Sequence, residues 1–314
     1  MNRETSGALL ILSFVFFSAV RDVYFSGVFR DFDFFTVVFI SFFCTSLFFF
    51  ALSLLRHRSE LAIAAAKFRV VWWMNVTTAI AWILYFFAIK CIEPSVVNTL
   101  WAGAAPVILG VLSWLGFTIS KPEPIRGLER GLHLGILASL VFLAWVTLSG
   151  LSGVEDVDFG LAVLGLAAIF LSSTSIVISV LISKHLHEIG VGAEAVVGLR
   201  FVLLAVVAGV VVVFGSKGPD GGAFAAAIGL IPAAAGLLIL PIYLFQKGMV
   251  HTTPITAETI GTLGPILIFL LQLTDTEIGF SFYSLGGIVA YTVFSVSAVV
   301  FRGFVVHQRE ASPT

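Results

Sequence analysis

Apolar runs of about twenty residues, each closed by a charge, a proline or a glycine cluster, recur along the whole chain. Ten are legible, over residues 6–29, 34–55, 70–89, 96–119, 132–151, 159–182, 195–214, 223–245, 255–273 and 280–301. A helix that crosses a bilayer needs about 20 mainly apolar residues, so the pattern predicts an all-α membrane protein of ten transmembrane helices. The first run resembles a signal peptide, because Arg3 precedes an apolar stretch. No small-residue cleavage site follows, since Ala19-Val20-Arg21-Asp22 is polar where one would lie and hydrophobicity resumes at Val23. It is therefore read as a span.

Composition agrees with this reading. Of the 314 residues 59% are hydrophobic and only 11% charged, against about a quarter charged in soluble domains, and mean hydropathy is +1.09. The 17 Lys and Arg nearly balance the 18 Asp and Glu, which leaves no basic excess for phosphate neutralisation and excludes a nucleic-acid partner. Cys44 and Cys91 are far apart and form no CxxC spacing, so neither a disulfide framework nor a zinc site is expected. No connection exceeds about 15 residues, and no GxxxxGK[ST], HExxH or GxSxG occurs. An ATP-driven pump or an enzyme is not expected, and no cofactor is.

Positive charge sets an orientation. With a cytoplasmic N-terminus, the inner connections hold Arg3, Arg56, Arg58, Lys67, Arg69, Lys121, Arg126, Arg130, Lys184, Lys247, Arg302 and Arg309, and the outer ones only Arg30, Lys90 and Lys217. The outer links are acidic instead, with Asp31, Asp33, Glu155, Asp156, Asp158, Asp275 and Glu277. Both termini are expected in the cytoplasm, in an inner (plasma) membrane.

The two halves echo each other. Tyr85, Lys90, Glu93-Pro94-Ser95 and Ala105-Pro106-Val107-Ile108-Leu109 recur in order as Tyr243, Lys247, Thr253-Pro254-Ile255 and Gly264-Pro265-Ile266-Leu267-Ile268. Five spans per copy is an odd number, so the second copy enters the membrane from the other side. Inverted repeats of that kind let a central site open alternately to each face, which is transporter architecture. The Tyr85 to Pro106 pattern, its echo from Tyr243 to Pro265, and Gly198-Leu199-Arg200-Phe201-Val202-Leu203-Leu204 resemble the drug/metabolite transporter superfamily, in particular its EamA-type ten-helix members. The resemblance implies two five-helix repeats, 1–151 and 152–314, around a central cavity, and a carrier for a small polar or amphipathic metabolite, with export its expected direction. Two departures stand out: Ser41 where an arginine analogous to Arg200 is expected, and Arg21-Asp22 where such members carry a small uncharged step.

Ionisable groups at membrane depth cost about 2.5–3.5 kcal/mol each on insertion scales and mark functional candidates. Arg21 and Asp22 lie roughly 20 Å beyond Ser6 at 1.5 Å per residue; either the first helix ends at Val20 and leaves them at the surface, or one faces a cavity, since adjacent helical residues diverge by about 100°. Arg200 either snorkels to the headgroups or joins the site. Glu258, one turn after Pro254, is a helix-start acid or a titratable carboxylate for a coupling proton. Asn75, Asn98, Trp101, Tyr85 and Tyr243 complete the substrate-binding candidates, with interfacial anchoring the alternative for the aromatics. Pro106 and Pro265 are expected as mid-helix hinges. Gly131 to Gly135 and Gly286-Gly287 read as helix-packing or homodimer surfaces. The rival class is a non-transporting scaffold, sensor or lipid scramblase, whose central axis would be packed with Leu, Val and Phe.

Overall fold

The computed structural model describes residues 3–114, 127–154, 158–215, 229, 231–249, 251–252 and 254–311. No strand occurs among the described residues. In chain order the helices are α1 (Arg3–Asp31), α2 (Phe34–Arg56), α3 (Arg58–Ala66), α4 (Phe68–Cys91), α5 (Pro94–Trp114), α6 (Gly127–Leu148), α7 (Phe159–Glu188), α8 (Ala193–Arg200), α9 (Val202–Phe214), α10 (Ile231–Met249), α11 (Pro254–Gly261), α12 (Gly264–Gln272) and α13 (Phe282–Ala311). Seven helical stretches are long and apolar enough to cross a membrane, and Pro94–Leu109, Gly236–Phe245 and Thr259–Gln272 are shorter apolar helices. The chain is thus a multi-pass helical membrane protein.

Local chemistry sets the helix ends. Asp33 caps α2 by accepting from Thr36 N at 2.9 Å, and Asp158 caps α7 by accepting from Leu161 N at 3.1 Å. Pro94 and Pro254 open α5 and α11, where a missing N–H costs nothing. The helix α6 stops at Gly150, whose φ of +67° suits only a residue without Cβ. There Gly150 N donates to Thr147 O and Leu151 N to Val146 O, a Schellman closure.

Three features differ from expectation. The seventh predicted span is two helices, α8 and α9, broken at Phe201. The ninth is also two, α11 and α12, so Pro265 does not kink a continuous helix but stands in the first turn of a new one; Pro106 does lie inside an unbroken α5. Between the second and third spans α3 forms a nine-residue helix that no apolar run announced.

Packing pairs α4 with α7, α1 with α10, α6 with α13, α2 with α8 and α9, α5 with α7, and α1 with α11 and α12. Small residues bring these helices close. Gly135 lies against the Phe294 ring and Gly287 against Leu143, so both serve the α6–α13 contact within the chain. The serines of α7 knit it to α4, with Ser172 Oγ donating to Ala81 O at 2.6 Å and Thr78 Oγ1 and Ser179 Oγ 2.6 Å apart. The central core is aromatic: Phe25, Phe29, Phe42 and Phe86 are buried together, with Trp82 and Phe201 against them.

At the α2–α8 crossing, a Cβ on Gly198 would sit 2.6 Å from Phe50 N and 2.9 Å from Phe49 C. Backbone cannot yield as a side chain can, and Ser46 Oγ already bonds Gly198 O at 2.6 Å. Gly198→Ala is expected to cost about 1–3 kcal/mol and to lower the melting midpoint in detergent. Gly131→Ala, with open space around it, should be neutral or stabilising, and the pair of midpoints checks the assignment.

Candidate functional site

The helix α1 does not end at Val20 but runs unbroken through Arg21 and Asp22 to Asp31. The pair therefore lies on a continuous helix, about nine residues or roughly 13 Å from its end, with exposures of 8% and 0%. Both side chains are buried. The Arg21 side chain curls back so that Nε and Nη2 both donate to Asp22 Oδ1 at 2.8 Å.

The second carboxylate oxygen is held from two other helices. Tyr85 Oη on α4 donates to Asp22 Oδ2 at 2.8 Å, and Asn98 Nδ2 on α5 lies 3.3 Å from the same oxygen and 3.2 Å from Tyr85 Oη. The hydroxyl is placed by the helical spacing Met74, Thr78, Ala81, Tyr85, Ala88, which keeps one face of α4 buried. The α12 backbone closes in at Gly264, where a Cβ would stand 3.6 Å from Asn98 Oδ1 and 3.7 Å from Val15. Three helices thus converge on one carboxylate, with α12 packed against Asn98.

Aromatic rings wall this group. Trp101 packs on Tyr85 with centroids 5.1 Å apart, Trp82 meets the same ring at 5.8 Å, and the Arg21 guanidinium carbon lies 5.3 Å from the Trp82 ring centroid. The indole nitrogens of Trp82 and Trp101 are both buried without an acceptor among the described residues. A buried N–H without a partner is costly, so these two donors mark where an acceptor is wanted. The arrangement is net neutral, with a carboxylate saturated by donors beside two vacant ones.

Of the predicted residues, Arg21, Asp22, Tyr85, Asn98 and Trp101 are brought together. Tyr243 is not: it is half-exposed on α10, with Lys247 Nζ 3.4 Å from its hydroxyl and 5.5 Å from its ring centroid. Arg200 ends α8 and turns to α7, where Nη2 donates to Ser179 Oγ at 3.1 Å and the guanidinium lies over Phe201. Asn75 bridges the break just beyond, its Oδ1 accepting from Leu203 N at 3.0 Å. Neither Arg200 nor Asn75 bonds to the Asp22 group. Glu258 stands on α11, and its side chain lies outside the described residues.

Two residues escaped the sequence reading. Trp82 lies three residues before Tyr85, one turn along the same face, which was the available signal. Glu93 is fully buried at the corner between α4 and α5. Its Oε1 accepts from Ser95 Oγ and Gln272 Nε2, and its Oε2 from Gly153 N and Ser284 Oγ. Gln272 in turn accepts from Ser95 N at 3.1 Å. One carboxylate thereby ties the α4–α5 corner, the α6–α7 connection, the end of α12 and the start of α13. A lone Gln272 in an apolar run hinted at a partner, but a charge beside Pro94 at a span end reads as ordinary interface.

No family model matches the chain, and no curated protein does. A solved structure described only as "Crystal structure of protein" superposes with a TM-score of 0.59 at 18% identity, covering 96% of this chain and 99% of that one. The likeness is one of fold.

Glu93→Gln replaces two acceptor sites with a donor facing Gly153 N and Ser284. Unpaired buried groups cost about 1–3 kcal/mol, so the variant should melt earlier in detergent than the parent. Glu277→Gln, at an exposed position, should change stability by no more than about 0.5 kcal/mol. Equal melting of both variants would remove the clamp.

Proposed function

We propose that the chain is a secondary transporter that moves a small polar or amphipathic metabolite, such as an amino acid or related compound, by alternating access. The observation that carries this reading is the buried Asp22 group with its two unpaired indole donors. A scaffold gains nothing from leaving two buried indole donors unpaired beside a carboxylate, and an axis packed with Leu, Val and Phe would be cheaper to build. The substrate's oxygen would satisfy Trp82 and Trp101, while its donor group would compete with Tyr85 or Arg21 for Asp22. Glu93 would hold one end of the bundle shut while the opposite end admits the substrate.

Ten spans in two inverted repeats, 1–151 and 152–314, are part of the same proposal. The packing supports it. Exchanging α1 with α7, α2 with α8–α9, α4 with α10, α5 with α11–α12 and α6 with α13 turns the α4–α7 pair into α10–α1. It likewise turns α5–α7 into the contact of α11 and α12 with α1, and leaves α2–α8/α9 and α6–α13 unchanged. A pseudo-two-fold axis would produce this pairing, and such axes underlie the exchange of inward and outward states. The breaks in α8–α9 and α11–α12 fall in the second copy, where discontinuous helices commonly supply binding groups. Drug/metabolite transporters of EamA type are the family this reading points to, with both termini in the cytoplasm of a plasma membrane and export as the direction.

Counterflow in proteoliposomes against a panel of amino acids and related metabolites tests the proposal. A substrate should be found, and Asp22→Asn should abolish its exchange because the Arg21 charge is left unmatched. Tyr85→Phe should reduce exchange about tenfold or more, and Tyr243→Phe should leave it within about twofold, each factor of ten being 1.4 kcal/mol. Undiminished exchange by Asp22→Asn, at normal membrane insertion, would refute the site.

A further inference from the structure

Away from the Asp22 group, a groove of about 760 Å³ opens on the side of the bundle. Leu54 of α2, Ala62 and Ala65 of α3, Trp72 of α4 and Val202 and Val206 of α9 line it. Its volume is that of a site for one small amphiphile. Asn75 reaches the wall, but its amide is satisfied by Val71 O and Leu203 N, so the interior offers nothing to a polar ligand. The alanines of α3 create the concavity: a larger side chain at Ala62 or Ala65, both exposed, would fill it.

Cations stand at both ends of α3. Arg56 and Arg58 flank the turn into α3, Lys67 and Arg69 the turn out of it, and all four are exposed. The acids nearby are directed elsewhere. Glu60 Oε2 accepts from Gly192 N at 2.9 Å, its other oxygen lies 3.2 Å from His57 Nδ1, and Glu194 lies 3.2 Å from His57 Nε2. Among the described residues no carboxylate comes within ion-pair distance of the four cations. Arg58 Nε is turned to Leu54 O at 2.9 Å, which fixes one guanidinium at the groove's end.

An apolar trough with unmatched positive charge at its Arg58 end, on a helical membrane protein, suits an anionic lipid. We propose that this groove is a specific site for an anionic phospholipid, one acyl chain lying along α3 and α9 and the phosphate resting beside Arg56 and Arg58, with Lys67 and Arg69 adding positive potential from the far end of α3. Basic residues at a membrane surface gain about 1 kcal/mol each from anionic headgroups, and each buried methylene adds about 0.8 kcal/mol. The short helix α3 is then an interfacial element whose exposed alanines form the lipid seat. The inference needs the chain to be membrane-embedded and does not depend on transport.

Bromine on an acyl chain quenches a tryptophan in contact with it, and Trp72 stands in the groove wall. The delipidated protein in neutral detergent is titrated with phosphatidylglycerol or phosphatidylcholine carrying brominated chains, with Trp72→Phe isolating the Trp72 signal. Phosphatidylglycerol should quench Trp72 saturably and at about tenfold lower concentration than phosphatidylcholine. Arg58→Gln with Lys67→Gln should erase that tenfold preference, and Ala62→Leu with Ala65→Leu should remove the saturable quenching. Equal quenching by the two lipids, a preference that survives charge removal, or quenching unaffected by filling the groove would each overturn the proposal. So would a brominated fatty acid that quenches as well as phosphatidylglycerol, since the phosphate would then play no part, and so would self-association that occludes Trp72.

Discussion

A carboxylate with no exposure to solvent cannot be left without donors, and Asp22 is where that constraint governs the molecule. Three side chains from α1, α4 and α5 supply its hydrogen bonds, and each must come from a helix held at the right height and rotation. Removing Arg21 would strand the carboxylate's charge at a cost of about 3–5 kcal/mol. The surrounding helix packing is therefore constrained by the polar group at its centre as much as by apolar burial. The aromatic shell follows: Trp82 and Trp101 pack on Tyr85 around the ion pair, and their two buried indole donors have no acceptor among the described residues.

Glu93 meets the same requirement differently. Its four donors include a backbone amide and come from segments far apart in sequence, so it acts as a junction of connections and has no unused acceptor for a ligand. One buried acid is fully committed, while the other sits beside vacant donors. That contrast separates a structural tie from a binding group, and it requires both networks to be seen in three dimensions.

Most of the helix pattern was legible because a bilayer demands long apolar runs, and these survive even where helix ends shift by a few residues. The convergence of Arg21, Asp22, Tyr85, Asn98 and Trp101 was also legible, since polar groups inside apolar runs have few places to go except toward one another. The rest was hidden for identifiable reasons. Hydropathy does not sense the breaks at Phe201 and at residues 262–263, because apolar residues continue across them. Tyr243 was nominated by its likeness to Tyr85, yet the echo fixed its place along the helix and not its azimuth, and it faces outward beside Lys247. Arg200 could have reached the headgroups on its long stem, and Ser179, one turn from Ser175 and Ser183 on a serine-rich face of α7, drew it inward instead. Glu93 was masked by its neighbour Pro94, which makes any nearby charge look like a span end.

The central claim is that the Asn98 side of the Asp22 group can be reached from water on one face of the membrane at a time. A single cysteine at Asn98, in a chain whose Cys44 and Cys91 are replaced by serine, reports this with a membrane-impermeant thiol reagent added to either side of oriented vesicles. The account predicts labelling, slowed by a transported substrate, with a side preference that reverses when the Glu93 clamp is loosened. A thiol inert from both sides in every condition would mean a sealed interior and would contradict it.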